Sequence, residues 1–508
     1  MKEFTLEQVA QHNKDGDLFI VVDAKVYNLS RFAGLHPGGK AVLLDDDVRG
    51  KDCTDLFYSL HRSEVLLRPQ YGRLQVGVVK GKTEKLRPLP AGSLSPVPYG
   101  EPQWLVKPFK SPYYNESHLR LQREMRKLCD EVIIPEARRA EKAGERVSQE
   151  VLNELVKRNL IAMRFGPGSH LKGRKLFTDI DPSAYDYFHE LIIHQEICRC
   201  GLRGFINGLS SGALIGLPPV LHFSNDKELG EKVTNEVFEG KKWLCLAISE
   251  AFAGSDVAGI KCTARKSEDG KFWIVNGTKK WITNGMFSDY FTKGFTMLLI
   301  PRGPGVSTTY IKTSYSSASG TAYVTFDNVR VPINHTLGEV DQGFKIIMSN
   351  FNHERWIVIV FCVQLMRNVV DETLKWASQR IVFGKPLIEQ AVVRHKIAHM
   401  ISGVESSQTW LEHITYQMNH MSYAEQAKHL AGPMALLKQN TTKFAQDIAR
   451  DATQIFGGRA ITQSGLGDLI EEFHRTTPFD AILGGAEDVM ADLGVRQAQK
   501  FIPKNVRL

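Results

Sequence analysis

The chain has 508 residues, 43% of them hydrophobic and 24% charged, with a formal net charge of +8; this is the composition of a folded multidomain protein and excludes a disordered or fibrous one. The basic excess is spread along the chain rather than gathered in blocks, so it reads as a weak pull toward anionic ligands and not as a nucleic-acid signature. Seven cysteines without regular spacing exclude a disulfide framework and favour a reducing compartment.

The N-terminus, MKEFTLEQVAQHN, has neither the apolar core of a signal peptide nor the Arg-rich character of a mitochondrial presequence. Residues 1–79 form a block of short alternating runs, in which Phe19 to Val22 and Lys25 to Leu29 predict two strands around an Asp23-Ala24 turn. Between 80 and 113 the prolines at 88, 90, 96, 98, 102, 108 and 112 predict a semi-extended linker that packs on neither neighbour. From 114 to 240 the pattern is helical, with Leu121, Met125, Leu128 and Val132 near helical spacing. Cys198 and Cys200 fall here; without a second pair at zinc-ligand spacing they read as structural. Residues 241–340 read as strands separated by Gly and Asn turns. Long helical patterns return over 341–508. No run approaches the roughly 20 apolar residues of a membrane span; the longest, Trp356 to Met366, reads as a buried helix. The last three residues, Val506, Arg507 and Leu508, are only distantly similar to the tripeptide that addresses proteins to peroxisomes, so the expected location is the cytoplasm, with the peroxisome second.

Two constellations carry chemistry. His36-Pro37-Gly38-Gly39 ends an apolar approach (Leu29, Phe32, Leu35), and His61 follows Phe57-Tyr58-Ser59-Leu60. Two neutral imidazoles at this separation can reach opposite faces of one planar macrocycle, leaving its iron no open site and confining it to electron exchange. Phe32, Leu43, Leu44 and Phe57 could wall such a pocket; the alternative is two unrelated surface histidines. With Tyr27-Asn28-Leu29-Ser30-Arg31-Phe32 ahead of the HPGG, the block resembles cytochrome b5. The resemblance implies haem b, with His36 and His61 as iron ligands, at a spacing about one residue from the usual pattern.

The second constellation begins with Ala247 to Gly259 (AISEAFAGSDVAG), where strand residues run into a Gly-Ser turn able to form an anion-binding nest. It continues with Asn276 to Gly285 (NGTKKWITNG), where Trp-x-Thr in a strand puts an indole and a hydroxyl on one face, a pair suited to a flavin. Together these motifs resemble the acyl-CoA dehydrogenase family, and the resemblance extends from about residue 115 to the C-terminus through Phe326 to Pro332, Gly384 to Leu387 and Gln454 to Gly458. It implies a multidomain α+β chain in which the small b5-like module precedes an N-terminal helical domain (114–240), a middle β-barrel domain (241–340) and a C-terminal four-helix bundle (341–508). It further implies FAD, bound by Leu246, Ile248, Ser249, Gly254, Ser255, Trp281 and Thr283. Arg380, Phe383, Gln454, Gly457 and Gly458 would reach the FAD of a neighbouring copy, so a homodimer or homotetramer is expected. Ser255, Asn352 and Arg355 are expected to contact the acyl-CoA.

Dehydrogenation across an α,β bond needs a carboxylate to take the α-proton. Most of the family carries that Glu in a C-terminal loop, which here reads Ile482-Leu483-Gly484-Gly485-Ala486-Glu487-Asp488, with Gly484 at the base position. A minority branch, including the isovaleryl and long-chain enzymes, carries it on a helix, and Phe351-Asn352-His353-Glu354-Arg355 matches that motif. Glu354 is therefore the expected base and the Gly484 N–H an expected donor to the thioester oxygen. Glu487 and Asp488 fall at a helix start, where acids favour the dipole. The expected activity is formation of a trans-2-enoyl-CoA, with electrons passing from the flavin to the fused haem or to a redox partner there. The alternatives are an oxidase using oxygen and a non-catalytic flavin and haem sensor; nitroalkane oxidation ranks low because it usually uses an Asp where Gly484 stands.

Overall fold

The computed structural model describes the whole chain except residues 63, 64, 67, 85–88, 504, 507 and 508, and gives no side chain for Ser349. Arg507 and Leu508, on which the peroxisomal expectation rests, thus lie outside the described residues, as does Pro88 of the Pro-rich stretch. The chain divides into two compact units, one of Met1–Pro90, Lys375–Val393 and Phe456–Asp468, the other of the remaining segments.

The first unit is built on a five-stranded sheet of β1 (Lys2–Phe4), β2 (Asn13–Lys14), β3 (Asp17–Val22), β4 (Lys25–Asn28) and β5 (Gln75–Val79), in the order β1-β5-β4-β3-β2, with the short helix α1 (Leu6–Ala10) between β1 and β2 in the chain. The expected hairpin is present. Asp23 and Ala24 both have positive φ, 47° and 64°, the pairing that matches a two-residue turn to the twist of its strands. Strand alternation sends Leu18, Ile20 and Val22 into one core and Phe19 and Val21 into another. The first core also receives Leu43 and, partly buried, Phe32, Leu44 and Phe57, the residues expected to wall a haem pocket. The same unit holds the hairpin β14 (Ile381–Val382) and β15 (Lys385–Pro386); ahead of it, Trp376 of the 375–393 segment stacks on Phe456 of the 456–468 segment at 5.4 Å, and Arg459 lies over Trp376 at 4.8 Å. Arg62, next to His61, donates to Asp468 at 3.1 Å.

The second unit corrects the expected linker. From Ala91 onward the chain is tied down rather than free: Gly92 N–H donates to Asp130 at 2.9 Å, Ser95 Oγ to Asp371 at 2.6 Å, and Arg367 to the carbonyls of Tyr99 and Glu101 at 3.0 and 3.1 Å. Composition predicts an extended chain correctly but says nothing of these partners, which lie far along the sequence. The anchor is Arg126 on α2 (Glu116–Leu128), 2% exposed, which pairs with Glu101 at 2.5 Å and with Glu196 of α3 (Tyr187–Cys198) at 2.8 Å.

The expected β barrel takes the form of two four-stranded sheets over a shared core. One has the order β13-β10-β9-β6 and the other β11-β12-β8-β7. Their ranges are β6 Leu244–Leu246, β7 Thr263–Lys266, β8 Phe272–Ile282, β9 Tyr290–Lys293, β10 Met297–Pro301, β11 Val306–Tyr310, β12 Ala322–Pro332 and β13 Thr336–Leu337. Trp273, Phe291, Leu298, Phe326 and Val331 meet between the sheets.

The C-terminal helices are α4 (Gly343–Gln379), α5 (Ala391–His420), α6 (Ala431–Phe456), α7 (Pro478–Ile482) and α8 (Glu487–Gln499). No Gly or Pro interrupts α4 after Gly343, so its hydrogen-bond ladder runs unbroken. The apolar run Trp356 to Met366 is buried as expected, and Trp356 Nε1 donates to Thr415 of α5 at 2.9 Å. Among the described residues, Arg203–Phe223 is the one helical stretch apolar enough to cross a bilayer, and 83% of its window lies buried in the protein. It is a core helix.

Arg126→Met should break the pairing that holds the Pro-rich segment on α2 and α3, removing the buried cation that Glu101 and Glu196 share and leaving Glu196 with Arg199 alone, at a cost of about 3 kcal/mol or more. Thermal unfolding of the variant should show a clearly lowered Tm; an unchanged Tm would contradict this account of the anchor.

Candidate active site

Glu354 lies nearly two turns ahead of the middle of α4's apolar run, and the residue is 6% exposed. Among the described residues its Oε2 has no hydrogen-bond partner. Burial pushes its pKa up from 4.5 to about 7, against the pull of Arg355, Lys438 and His353. On the same face of the helix follow Val358 and Phe361. Opposite stands Gly484, whose φ of +70° favours glycine. A Cβ placed there would touch Arg355 Cγ at 3.7 Å, Glu354 Oε1 at 3.8 Å and Val358 Cγ2 at 3.9 Å. The space a loop side chain would need is the space Glu354 faces. Arg355 closes the pair by donating from Nε to the Gly484 carbonyl at 3.1 Å.

His353, one residue back, turns away from this face. Its Nε2 meets the Glu190 carboxylate of α3 at 3.0 and 3.1 Å, and Glu190 is fully buried. Successive residues on a helix point about 100° apart, so fixing His353 against α3 aims Glu354 the other way. The pairing of Glu190 with His353 is not legible in the sequence, since the contact spans 163 positions. Asn352 Nδ2 donates to the Gln426 carbonyl at 3.2 Å. It borders a cavity of about 710 Å³ lined by Tyr187, His222, Asn350, His353 and Gln426 among others, a lining that includes neither Glu354 nor Gly484.

The expected flavin residues fall into two groups. Leu246 ends β6, and Ile248 and Ser249 follow it; the Ser249 carbonyl accepts from Lys280 N–H at 2.9 Å, which sets this strand beside the end of β8. Gly254 and Ser255 lie exposed on the next turn. That turn is organised by a pair the sequence reading passed over: Glu250, 4% exposed, accepts from Lys279 Nζ at 2.7 Å and from the N–H groups of Lys261 and Cys262 at 2.7 and 3.0 Å. The expected alternation fails at Trp281. Its φ is +67°, at an irregularity in the pairing of β8 with β12, leaving the indole 54% exposed and Thr283, just past the strand, buried at 7%. Gln454 is exposed near the end of α6. Arg380, Phe383, Gly457 and Gly458 lie in the other unit, on the two neighbouring segments described above.

Residues 341–499 match the family profile "Acyl-CoA dehydrogenase, C-terminal domain", 245–329 match "Acyl-CoA dehydrogenase, middle domain", and 5–126 match "Cytochrome b5-like Heme/Steroid binding domain". The chain is 37% identical over 425 residues to "Acyl-CoA dehydrogenase apdG" of Emericella nidulans, an alignment covering 80% of this chain and 96% of that protein. The chain belongs to the acyl-CoA dehydrogenase family. It is 33% identical over 422 residues to "Acyl-CoA dehydrogenase AFT10-1" of Alternaria alternata, again covering 80% and 96%. In fold it is similar to a glutaryl-coenzyme A dehydrogenase complex, with a TM-score of 0.65 at 21% identity over 78% of this chain and 98% of that one.

FAD and haem are the cofactors that accompany these modules, and the residues present fit both. For the flavin, the exposed Trp281 indole and the open position of Gly254 offer a flat apolar face and uncrowded backbone. For the haem the geometry is more telling. The rings of His36 and His61 lie 6.0 Å apart, and two imidazoles on opposite sides of one metal ion, each about 2 Å from it, have centres about 6 Å apart. His36 Nδ1–H faces the Gly39 carbonyl at 3.4 Å and His61 Nδ1–H the Phe57 carbonyl at 3.2 Å, which leaves both Nε2 atoms as ligands and orients the rings. Burial lowers the His61 pKa, favouring the neutral, ligating form. Gly38 is required beneath His36, since a Cβ would approach its Cε1 to 2.9 Å.

The raised Glu354 pKa has a stability consequence. Folding favours the protonated carboxyl, so its contribution is fully present below 4.5 and is lost as pH rises through about 7. Glu354→Gln should remove this loss and raise stability at pH 8 by on the order of 3 kcal/mol. Parallel melts at pH 5 and pH 8 test it, the variant gaining on wild type only at the higher pH.

Proposed function

We propose that this chain dehydrogenates an acyl-CoA thioester across its α,β bond to the trans-2-enoyl-CoA, with Glu354 taking the α-proton. The observation that carries this reading is a buried, part-unpartnered carboxyl on an uninterrupted helix, directed at a backbone glycine where the family's loop base would stand. Its pKa of about 7 matches proton affinity to neutral pH, so an appreciable fraction is carboxylate while the group still holds a proton well. The Gly484 N–H is assigned to the thioester oxygen, where donation stabilises the charge that builds as the α-proton leaves. Arg355, bonded to the Gly484 carbonyl, keeps that peptide oriented and so acts on the reaction through position. Leu246, Ile248, Ser249, Gly254, Ser255, Trp281 and Thr283 are assigned to the flavin. FAD, when bound, supplies the acceptor for the β-hydride; haem b, when bound between His36 and His61, supplies a one-electron carrier suited to drain it. A homodimer or homotetramer is proposed, supported by the exposure of Phe383 at 95% and Ile461 at 77%.

Anaerobic mixing of the holoenzyme with acyl-CoAs from isovaleryl- to palmitoyl-CoA should bleach the flavin, and haem reduction should follow. Glu354→Gln should slow the bleaching by about 10³-fold or more. Unchanged bleaching in that variant would remove Glu354 as the base, and a haem that stays oxidised while the flavin bleaches would remove the relay.

A further inference from the structure

Lys438 of α6 is fully buried, and the mechanism above gives it nothing to do. Its Nζ donates to three main-chain carbonyls: Asp480 at 2.9 Å, Gly485 at 2.6 Å and, more weakly, Ala481 at 3.4 Å. An ammonium has three donors, so all are committed to one short stretch, the end of α7 and the turn that carries Gly484. The Asp480 carboxylate does not neutralise it directly. That group pairs with Arg203, itself held between the rings of Phe361 and Phe479 at 5.4 and 5.1 Å. The loop is thus gripped by two buried cations, one on its backbone and one on its side chain. Lys438's positive charge stays directed at carbonyl oxygens beside Glu354.

We propose that Lys438 is the positioning residue of this site: it fixes the turn so that Gly484 stands against Glu354, and its charge biases Glu354 toward the carboxylate that takes the proton. The inference rests on Glu354 being the base. A merely structural cation would cost stability when removed, because the three carbonyls lose their donor, and would leave the titration of Glu354 where it was. Lys438 instead acts on Glu354 in the same direction as Arg355 and His353. The groups facing Lys438 are Asp480, Cys362, Glu487 and Arg355; Glu487 is also bonded to Gln446 on α6. Arg355 persists when Lys438 is changed, so the expected effect is partial.

The test is the pH dependence, from pH 5.5 to 9, of single-turnover flavin bleaching in the holoenzyme, using the fastest acyl-CoA of the panel above. Lys438→Met should slow bleaching by about 10- to 100-fold at pH 7 with the acyl-CoA Kd changed far less, and should move the acid limb up by about one pH unit, because the carboxylate has lost a cation. Lys438→Arg keeps the charge in a different shape; its limb should stay near wild type while its rate falls. If Lys438→Met lowers only the Tm and leaves limb and rate within about twofold, the proposal is overturned. Should Lys438→Met yield no soluble protein, Lys438→Gln, which removes the charge but keeps donors, is read against the same two outcomes. Failure of the base assignment is read separately from Glu354→Gln, and an unshifted limb defeats this proposal whatever that variant does.

Discussion

The site depends on one steric exclusion: the volume in front of Gly484 can be occupied from the loop or from the helix, and here the helix has it. A carboxyl placed there from α4 comes from the stiffest element of the domain, a helix of 37 residues packed along most of its length. Loops tolerate motion and variation; a helix interior does not. The Glu354 carboxyl is therefore held by the core itself, through His353 on one side and the apolar face of Val358 and Phe361 on the other, and the low dielectric that raises its pKa comes from the same packing.

Burial on this scale sets conditions on everything nearby. A carboxyl with an unpartnered oxygen is costly in an apolar setting unless it can take up a proton, and neighbouring cations decide how readily it does so. Arg355 and Lys438 both spend hydrogen bonds on backbone carbonyls of the Gly484 turn. Charge that might have formed a closed ion pair with Glu354 is instead tied to the element opposite it, so the carboxyl is attracted but not neutralised.

The sequence carried a large part of this. The HPGG histidine and the hairpin at Asp23-Ala24 are local patterns, and local patterns survive without coordinates; the order of modules and the pairing of Glu354 with Gly484 were legible only through the family resemblance. What it did not carry were partnerships across long separations. Glu190 with His353, Arg203 with Asp480 and Lys438 with the 480–485 turn join residues 42 to 277 positions apart, and nothing in composition or periodicity marks them. The Pro-rich segment shows the same limit from the other side: extended character was legible, but the Arg126 and Arg367 contacts that pin it were not. Trp281 failed for a different reason, because period-two alternation holds only while φ stays in the β region, and the left-handed residue at the strand end flips the faces.

The left-handed Gly484 also limits how this arrangement can change. Restoring an acid to the loop while Glu354 remains would bring a second carboxylate within a few ångströms of the first, and two such groups share one proton rather than ionising together. With Glu354 as the proposed base, removing it first leaves the site with no acceptor, and either single step passes through an impaired protein. The helix-borne and loop-borne versions of the proposed chemistry are then separated by a valley that only paired substitutions cross.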